Sequence, residues 1–133
     1  MKFLLDTNAV TAWANRDTHF IARVRTFAPA DLAISVLTEH ELLYGIAHNP
    51  QFKLRATVER LLAILPKLQL DSATVAKAAL VRVDLRQSGL PICPYDLLIA
   101  ATAVQHSLTM VTHNTQEFER VPGLLVEDWQ TPA

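Results

Sequence analysis

The chain has 133 residues, of which 50% are hydrophobic, and its formal net charge is −1. This length predicts one domain, 1–133, without a membrane span or a signal peptide, because no apolar run reaches about 18 residues and no basic segment precedes a cleavage motif. The near-neutral charge is not typical of a nucleic-acid-binding domain. The single Cys93 excludes an internal disulfide, which indicates a reducing compartment, so we expect a cytoplasmic protein.

Apolar periodicity and breaker residues predict that strands and helices alternate along the chain. In chain order, the predicted elements are strand 2–5, helix 8–15, helix 18–27, strand 32–35, helix 36–48, helix 52–65, strand 68–70, helix 74–87, helix 95–106, strand 109–112 and strand 124–126. This order indicates an α/β fold with a mainly parallel sheet and helices on both faces. In such sheets, ligands bind outside the carboxyl ends of the strands.

Asp6 follows the first predicted strand directly, at its carboxyl end. A carboxylate that leaves a buried strand is costly when it is unpaired. Two explanations stay open for this residue. It caps the helix that follows, a role that Thr7 and Asn8 can share, or it belongs to a ligand-binding site.

Glu39 and Glu41 compete for a buried position in the segment SVLTEHELLYG. On a helical wheel, Val36, Leu43 and Ala47 define the apolar centre. Glu39 falls inside that apolar face and Glu41 at its edge. Periodicity therefore favours Glu39 as the buried carboxylate.

Charge is distributed unevenly along the chain. Between Lys53 and Arg86 there are seven basic and three acidic residues, a net charge of +4, so the rest of the chain carries −5. Arg82 and Arg86 lie four residues apart on one predicted helix, and this basic segment is a candidate to bind a polyanion. The alternative is that this segment is a solvated helical face.

Asp96 lies in the first turn of the predicted helix 95–106, where a carboxylate complements the helix dipole. The apolar run from Leu97 to Ala100 predicts a helix that is buried all round, so a carboxylate at its start needs a partner. His40 and Glu41 begin a zincin-like motif, but Tyr44 stands where the second His is required.

Asn114, Glu117 and Glu119 come just after the strand that ends at Thr112. We expect Phe118 to dock this segment on the core, which fixes the direction of Glu117 and leaves Glu119 in solvent. His113 is expected to be solvated or hydrogen-bonded, and Cys93 is expected to be a buried thiol.

The candidate carboxylates all lie near one end of the predicted sheet. Acidic groups that converge repel one another, so some must be protonated or bind cations. Oxygen ligands suit Mg²⁺ or Mn²⁺ better than zinc. Ions held in this way activate water and stabilise the leaving oxygen in phosphodiester cleavage.

With these residues in place, the chain resembles a PIN domain, and specifically the VapC toxins of bacterial type II toxin–antitoxin modules. The resemblance is carried by FLLDTN at 3–8, ELLYG at 41–45, GLPICPYDLLIAATA at 89–103, VTHNTQEFERVPGL from 111, and VEDW through 129. It implies a PIN-like three-layer α/β/α fold with a sheet of about four to five strands. It also implies a ribonuclease that depends on Mg²⁺ or Mn²⁺.

The resemblance implies four acidic positions, which in this chain are Asp6, Glu41, Asp96 and Glu117. Three are implied metal ligands, while Glu41 either binds a second ion or positions the attacking water; the spacing in ELLYG selects it over Glu39. Many relatives carry Asp where this chain has Asn114, which is therefore a neutral ligand or an orienting group. The implied hydrogen-bonding supports are Thr7, Asn8 and Thr112.

The resemblance further implies a toxin homodimer and a cognate VapB-type antitoxin, with which the toxin forms a larger complex on promoter DNA. The implied substrate is tRNA, and in particular the anticodon loop of initiator tRNA, whose cleavage inhibits translation. An alternative from another class is a non-catalytic PIN-like module that binds RNA or a partner. The neutral Asn114 favours that alternative, and the full set of four acids opposes it.

Overall fold

The structure is a computed structural model that describes residues 1–132. Within these residues, five strands form one sheet in the order β3-β2-β1-β4-β5, and every neighbouring pair is parallel. The strands are β1 (Phe3–Leu5), β2 (Leu32–Ser35), β3 (Lys67–Leu68), β4 (Thr109–Val111) and β5 (Val126–Glu127). The predicted α/β fold is confirmed, with a sheet that is parallel throughout the described residues.

Helices connect the strands and cover both faces of the sheet. Those of the described chain are α1 (Thr7–Ala14), α2 (Thr18–Val24), α3 (Val36–His48), α4 (Arg55–Ile64), α5 (Ser72–Gln87), α6 (Pro94–Gln105) and the short α7 (Thr115–Phe118). Predicted and observed bounds agree closely for α3, α5 and α6. The sequence pattern missed α7, because a single helical turn carries too few residues to show a period.

Side-chain caps explain where several helices begin. The carboxylate of Asp71 accepts a hydrogen bond from the backbone N–H of Thr74, 2.8 Å away, so Asp71 is the N-cap of α5. This hydrogen bond holds the pKa of the Asp71 carboxyl below its ordinary value. Gly89 ends the same helix with a φ of 71°, in the left-handed region that glycine adopts without strain.

The core has two halves, one on each face of the sheet. Phe3 and Leu5 of β1 point into the half that α1, α2 and α4 cover, whereas Leu4 points into the half formed with α5 and α6. This alternation follows from the two-residue period of a strand. Trp129, just beyond β5, closes the first half against Phe3, at 4.9 Å between ring centroids. Within the described residues, no helix is both long and apolar enough to cross a membrane.

The strand order places a topological switch point between β1 and β4. From β1 the chain proceeds outward to β2 and β3, and it then crosses back to β4 on the other side of β1. Helices therefore diverge from this point, leaving a crevice at the carboxyl ends of the two strands. Asp6 ends β1 here, and its backbone N–H donates to the carbonyl of Val111, 3.1 Å away, in β4.

Candidate active site

Asp6 lies in the crevice at the switch point and is only 6% exposed. One oxygen, Oδ1, accepts the backbone N–H of Ala9 at 2.8 Å, so Asp6 does cap α1. The other, Oδ2, accepts the hydroxyl of Thr112 at 2.5 Å. Burial nevertheless raises the pKa of Asp6 above its ordinary value, and the nearby carboxylate of Glu41 raises it further. Asp6 is therefore both the N-cap of α1 and a residue of the candidate active site.

Glu41 is held near Asp6 by a hydrogen bond from Thr7, the first residue of α1. The hydroxyl of Thr7 donates to Oε1 of Glu41 at 2.7 Å, and the charge of Glu41 contributes to the raised pKa of Asp6. Glu39 instead points toward β3, where its carboxylate lies 3.9 Å from the ammonium of Lys67. The structure thus brings Glu41, not Glu39, to the other carboxylates.

The wheel prediction for α3 was wrong. Its buried residues are Thr38, Leu42 and Ile46, whereas Leu43 of the predicted apolar centre is 49% exposed. The cause is tertiary, since α3 packs between α1, α4 and α6 and only the side facing them is covered. The buried stripe is one residue wide and includes a threonine, so hydropathy alone indicated the wrong face.

Asp96 and Glu117 approach the crevice from the other half of the molecule. Asp96 is half-buried in the first turn of α6, and Glu117 lies in α7. The pKa of Asp96 is raised to about 7, mainly by burial. The charge of Glu117, a hydrogen bond with its carboxylate, and the charges of Glu41 and Asp6 contribute the rest of this rise, in that order. The other three predicted carboxylates therefore all influence Asp96.

Glu117 is held by groups outside the acidic cluster. Its Oε2 accepts the side-chain amide of Asn114 at 2.7 Å, and its Oε1 accepts the backbone N–H of Cys93 at 3.3 Å. The prediction that Cys93 is buried was wrong, because its thiol is exposed at the turn before α6. Asn114 in turn donates its own backbone N–H to the hydroxyl of Thr112, 3.0 Å away.

The donor set fits a hard divalent cation. Four carboxylates meet at one crevice, and their mutual repulsion is relieved by protonation, as the raised pKa of Asp96 indicates, or by a cation. Mg²⁺ and Mn²⁺ take such all-oxygen ligands. As the side chains stand, no three His, Cys, Asp or Glu groups in residues 1–132 are close enough together to share one ion. If one ion is to be held by three of these carboxylates, their side chains must therefore move closer together than they stand here.

Three other predicted site residues lie at the margins of this cluster. The backbone of Asn8 faces Asp6, but its side chain is exposed and lines a separate polar pocket. Arg82 and Arg86 are exposed on α5 and line a groove of about 260 Å³ together with Pro94 and Leu97 of α6. This groove begins at the turn of helix that carries Asp96.

Asp128 is a polar group that the sequence reasoning missed. It follows β5 at the same edge of the sheet, and its Oδ2 lies 2.9 Å from Nδ1 of His113. His113 is exposed and hydrogen-bonded, as expected from the sequence. Its position in the sequence could have indicated it, since Asp128 comes directly after a strand, as Asp6 does.

Comparisons with known proteins agree with this architecture. A family model for the PIN domain matches residues 3–124. The tRNA(fMet)-specific endonuclease VapC of Salmonella typhimurium is 36% identical over 97% of this chain and 98% of its own length. Ribonuclease VapC2 of Rickettsia felis is 30% identical over the same shares. A chain in the crystal structure of DNA-bound VapBC from Salmonella typhimurium superposes with a TM-score of 0.87, at 35% identity over 97% of this chain and 98% of that one.

Proposed function

The chain belongs to the PIN-domain family, among its VapC ribonuclease toxins, and on that premise we propose that it is the toxin of a type II toxin–antitoxin module. It is an RNA-cleaving hydrolase that acts in the cytoplasm as a single PIN domain, 1–133. The observation that carries this proposal is the meeting of four carboxylates, contributed by distant segments of the chain, at the switch point of a parallel sheet.

Asp6, Asp96 and Glu117 are the residues that would hold Mg²⁺ or Mn²⁺. When bound, such an ion stabilises charge on the phosphate and favours deprotonation of water. The chain supplies the orientation of these ligands. Thr112 fixes Asp6, and Asn114 fixes Glu117. Asp96, whose pKa is raised to about 7, would have to lose its proton to hold such an ion.

Glu41 has a separate role in this proposal. Its Oε1 is held by Thr7, which leaves the second carboxylate oxygen to position the attacking water or to bind a second ion. As the oxygen of this water bonds to phosphorus, the bond from phosphorus to the 3′ oxygen breaks. Asn8 completes the start of α1, where its backbone supports Asp6.

The groove beside Arg82 and Arg86 offers a path for the RNA backbone. Both guanidinium groups are exposed, and the groove leads toward the start of α6. Arginine binds phosphate by paired hydrogen bonds as well as by charge. A relative over the full chain is named a tRNA(fMet)-specific endonuclease, and we propose tRNA, with the anticodon loop of initiator tRNA first, as the substrate here.

Two protein partners complete the proposal. Solved relatives include VapBC complexes bound to DNA, and we propose a VapB-type antitoxin and promoter binding for this chain as well. The proposal of a homodimer is supported by α5, which has apolar residues on the side packed into the core and also on the side exposed to solvent. Its outer side exposes Val75, Leu80 and Val83, at 47%, 67% and 53%. Exposed apolar faces of this kind typically mark protein interfaces.

Incubation of the pure protein with total tRNA tests the proposed activity. We expect discrete cleavage products with Mg²⁺ or Mn²⁺ and none in excess chelator. Sequencing of the new ends identifies the tRNA and the cleaved bond. Cleavage that persists unchanged in chelator contradicts the metal-dependent mechanism, and binding of tRNA without cleavage contradicts the catalytic function.

A further inference from the structure

A polar pocket of about 270 Å³ opens beside the candidate active site. Asn8, Thr11 and Asn15 line it from one side of α1, and His113 and Gln130 line it from the ends of β4 and β5. The volume is slightly below the roughly 300–1,000 Å³ of drug-sized ligand sites. The pocket therefore suits a small planar group rather than a folded stem of RNA.

The pocket shares two chain segments with the carboxylate cluster. Asn8 comes two residues after Asp6, and His113 follows Thr112, whose hydroxyl holds Asp6. The pocket therefore adjoins, along these two segments of the chain, the place where a phosphate at Asp6 would lie. None of the four carboxylates of the candidate active site lines the pocket itself.

The pocket presents amide groups that the fold does not use. Within residues 1–132, the side chains of Asn8, Asn15 and Gln130 make no hydrogen bond, so their donors and acceptors are available to a ligand. Other polar groups are occupied. The hydroxyl of Thr11 donates to the carbonyl of Thr7 at 3.0 Å, and Asp17 caps α2 by accepting the N–H of Phe20 at 3.0 Å.

We propose that this pocket binds one unpaired base of the RNA, and that it prefers adenine. This inference rests on the proposed ribonuclease function and adds a subsite to it. Amide side chains of Asn and Gln pair with the N6 and N7 edge of adenine, whereas guanine is usually read by Arg or Lys. Among the described residues that line the pocket there is neither Arg nor Lys. The exposed ring of His113 offers a surface on which the base stacks.

A larger cavity, of about 460 Å³, is a weaker candidate for this role. It lies between α2 and the end of β5, and its lining includes none of the four carboxylates. Its main cation, Arg23, is already paired with Glu127 at 3.0 Å and lies over the ring of Phe27. The charge of Arg23 is therefore already compensated, and the cavity shares no lining residue with the carboxylate cluster.

Two measurements test the adenine pocket, one of them independent of cleavage. In the first, adenosine, guanosine, cytidine and uridine are titrated separately into the full chain carrying Asp96→Asn, and the side-chain amide resonances of Asn15 and Gln130 are followed by NMR. We expect adenosine to shift both resonances more than the other nucleosides do. No shift at the solubility limit of adenosine, or an equal response to all four nucleosides, overturns the proposal.

In the second measurement, Asn15→Ala and Gln130→Ala are compared with Gln105→Ala, an exposed amide at the far end of α6. We expect the two pocket variants to raise KM for the cleaved tRNA about tenfold and to relax the preference for adenine next to the cut, with little change in kcat. Unchanged KM and unchanged base preference overturn the proposal. If the wild-type chain cuts no RNA, the ribonuclease function fails, and the adenosine titration still decides whether the pocket binds a base.

Discussion

The hydroxyl of Thr112 donates to the carboxylate of Asp6 across 2.5 Å, which joins residues 106 positions apart in the sequence. The two side chains leave neighbouring strands, β1 and β4, at the switch point of the sheet. Because Asp6 Oδ1 is already committed to capping α1, Thr112 sets the direction of the second oxygen. A residue that orients a ligand in this way is a positioning residue.

Removal of this hydroxyl tests the positioning role. Thr112→Val keeps the shape of the side chain but leaves Asp6 Oδ2 without its donor. We expect cleavage to fall about 10–100-fold and the affinity for Mn²⁺, measured by calorimetry, to weaken in parallel. Thr112→Ser should restore both, because serine carries the same hydroxyl. Failure of serine to rescue would mean that the methyl group, and hence packing, is what matters.

The carboxylates themselves should be indispensable for activity and dispensable for folding. For Asp6→Asn and Asp96→Asn we expect losses in tRNA cleavage beyond the roughly 10–100-fold typical of orienting residues. Thermal unfolding should stay cooperative, since each change removes a charge from a group whose pKa burial raises. Glu119→Gln, at an exposed position next to the site, is the matched control and should cleave normally. Full activity in either Asn variant contradicts the proposed mechanism.

The two glutamates of α3 offer a paired test of the site. Glu41→Gln should lower cleavage strongly, because Glu41 is the one held by Thr7 near Asp6. Glu39→Gln should leave the rate unchanged and cost about 0–1 kcal/mol of stability from its ion pair with Lys67. Parallel cleavage assays and denaturant titrations separate the two effects. The reverse order of activities would support the helical-wheel assignment instead.

Stability should depend on pH through Asp96. Its pKa is about 7 in the fold against 3.8 ordinarily, so between these values the native state binds more protons than the unfolded chain. In chelator, the contribution of Asp96 to the free energy of unfolding should therefore be largest below about pH 4. This contribution should decrease as the pH rises toward 7. The fall is on the order of 2 kcal/mol after allowance for solvent screening.

Two comparisons test whether Asp96 causes this fall in the free energy of unfolding with pH. Mg²⁺ or Mn²⁺ should raise the melting temperature more at pH 8 than at pH 5, because protons compete with the cation at the lower pH. Asp96→Asn should flatten the decline in chelator, leaving a smaller slope from Asp6, whose pKa is also raised. If the free energy of unfolding of Asp96→Asn falls with pH as much as that of the wild type, groups other than Asp96 cause the fall.

The outer side of α5 should be needed for the homodimer. Leu80→Asp places a charge on an exposed apolar face, and we expect sedimentation equilibrium to give the mass of a monomer with unchanged circular dichroism. Leu125→Asp is the matched control, since Leu80 is 67% exposed and Leu125, in the segment before β5, is 69% exposed. A dimer that tolerates Leu80→Asp and dissociates with Leu125→Asp would move the interface to the other edge of the sheet.

Chain order and hydrophobic period were sufficient to predict the fold class and the edge of the sheet at which the candidate residues lie. β1, β2, α3 and α6 were predicted within one residue of their observed bounds, because each has a strong local pattern or a clear stop. The final strand was displaced from its predicted position. It was predicted at 124–126 and lies at Val126–Glu127, since a two-residue strand is defined by its pairing with β4 rather than by its own composition.

Selection among the candidate residues required either the family spacing or the folded chain. Periodicity favoured Glu39 as the buried carboxylate, yet Glu39 and Glu41 are both only partly buried, and it is Glu41 that lies near Asp6. Cys93 was expected to be buried, yet it is exposed at the turn before α6. Local sequence places a carboxylate after a strand, because strands of one parallel sheet end at one edge. Which carboxylates meet, which way α3 is rotated, and how strongly burial raises the pKa of Asp96 depend on contacts between segments far apart in the chain, and only the tertiary structure decides them.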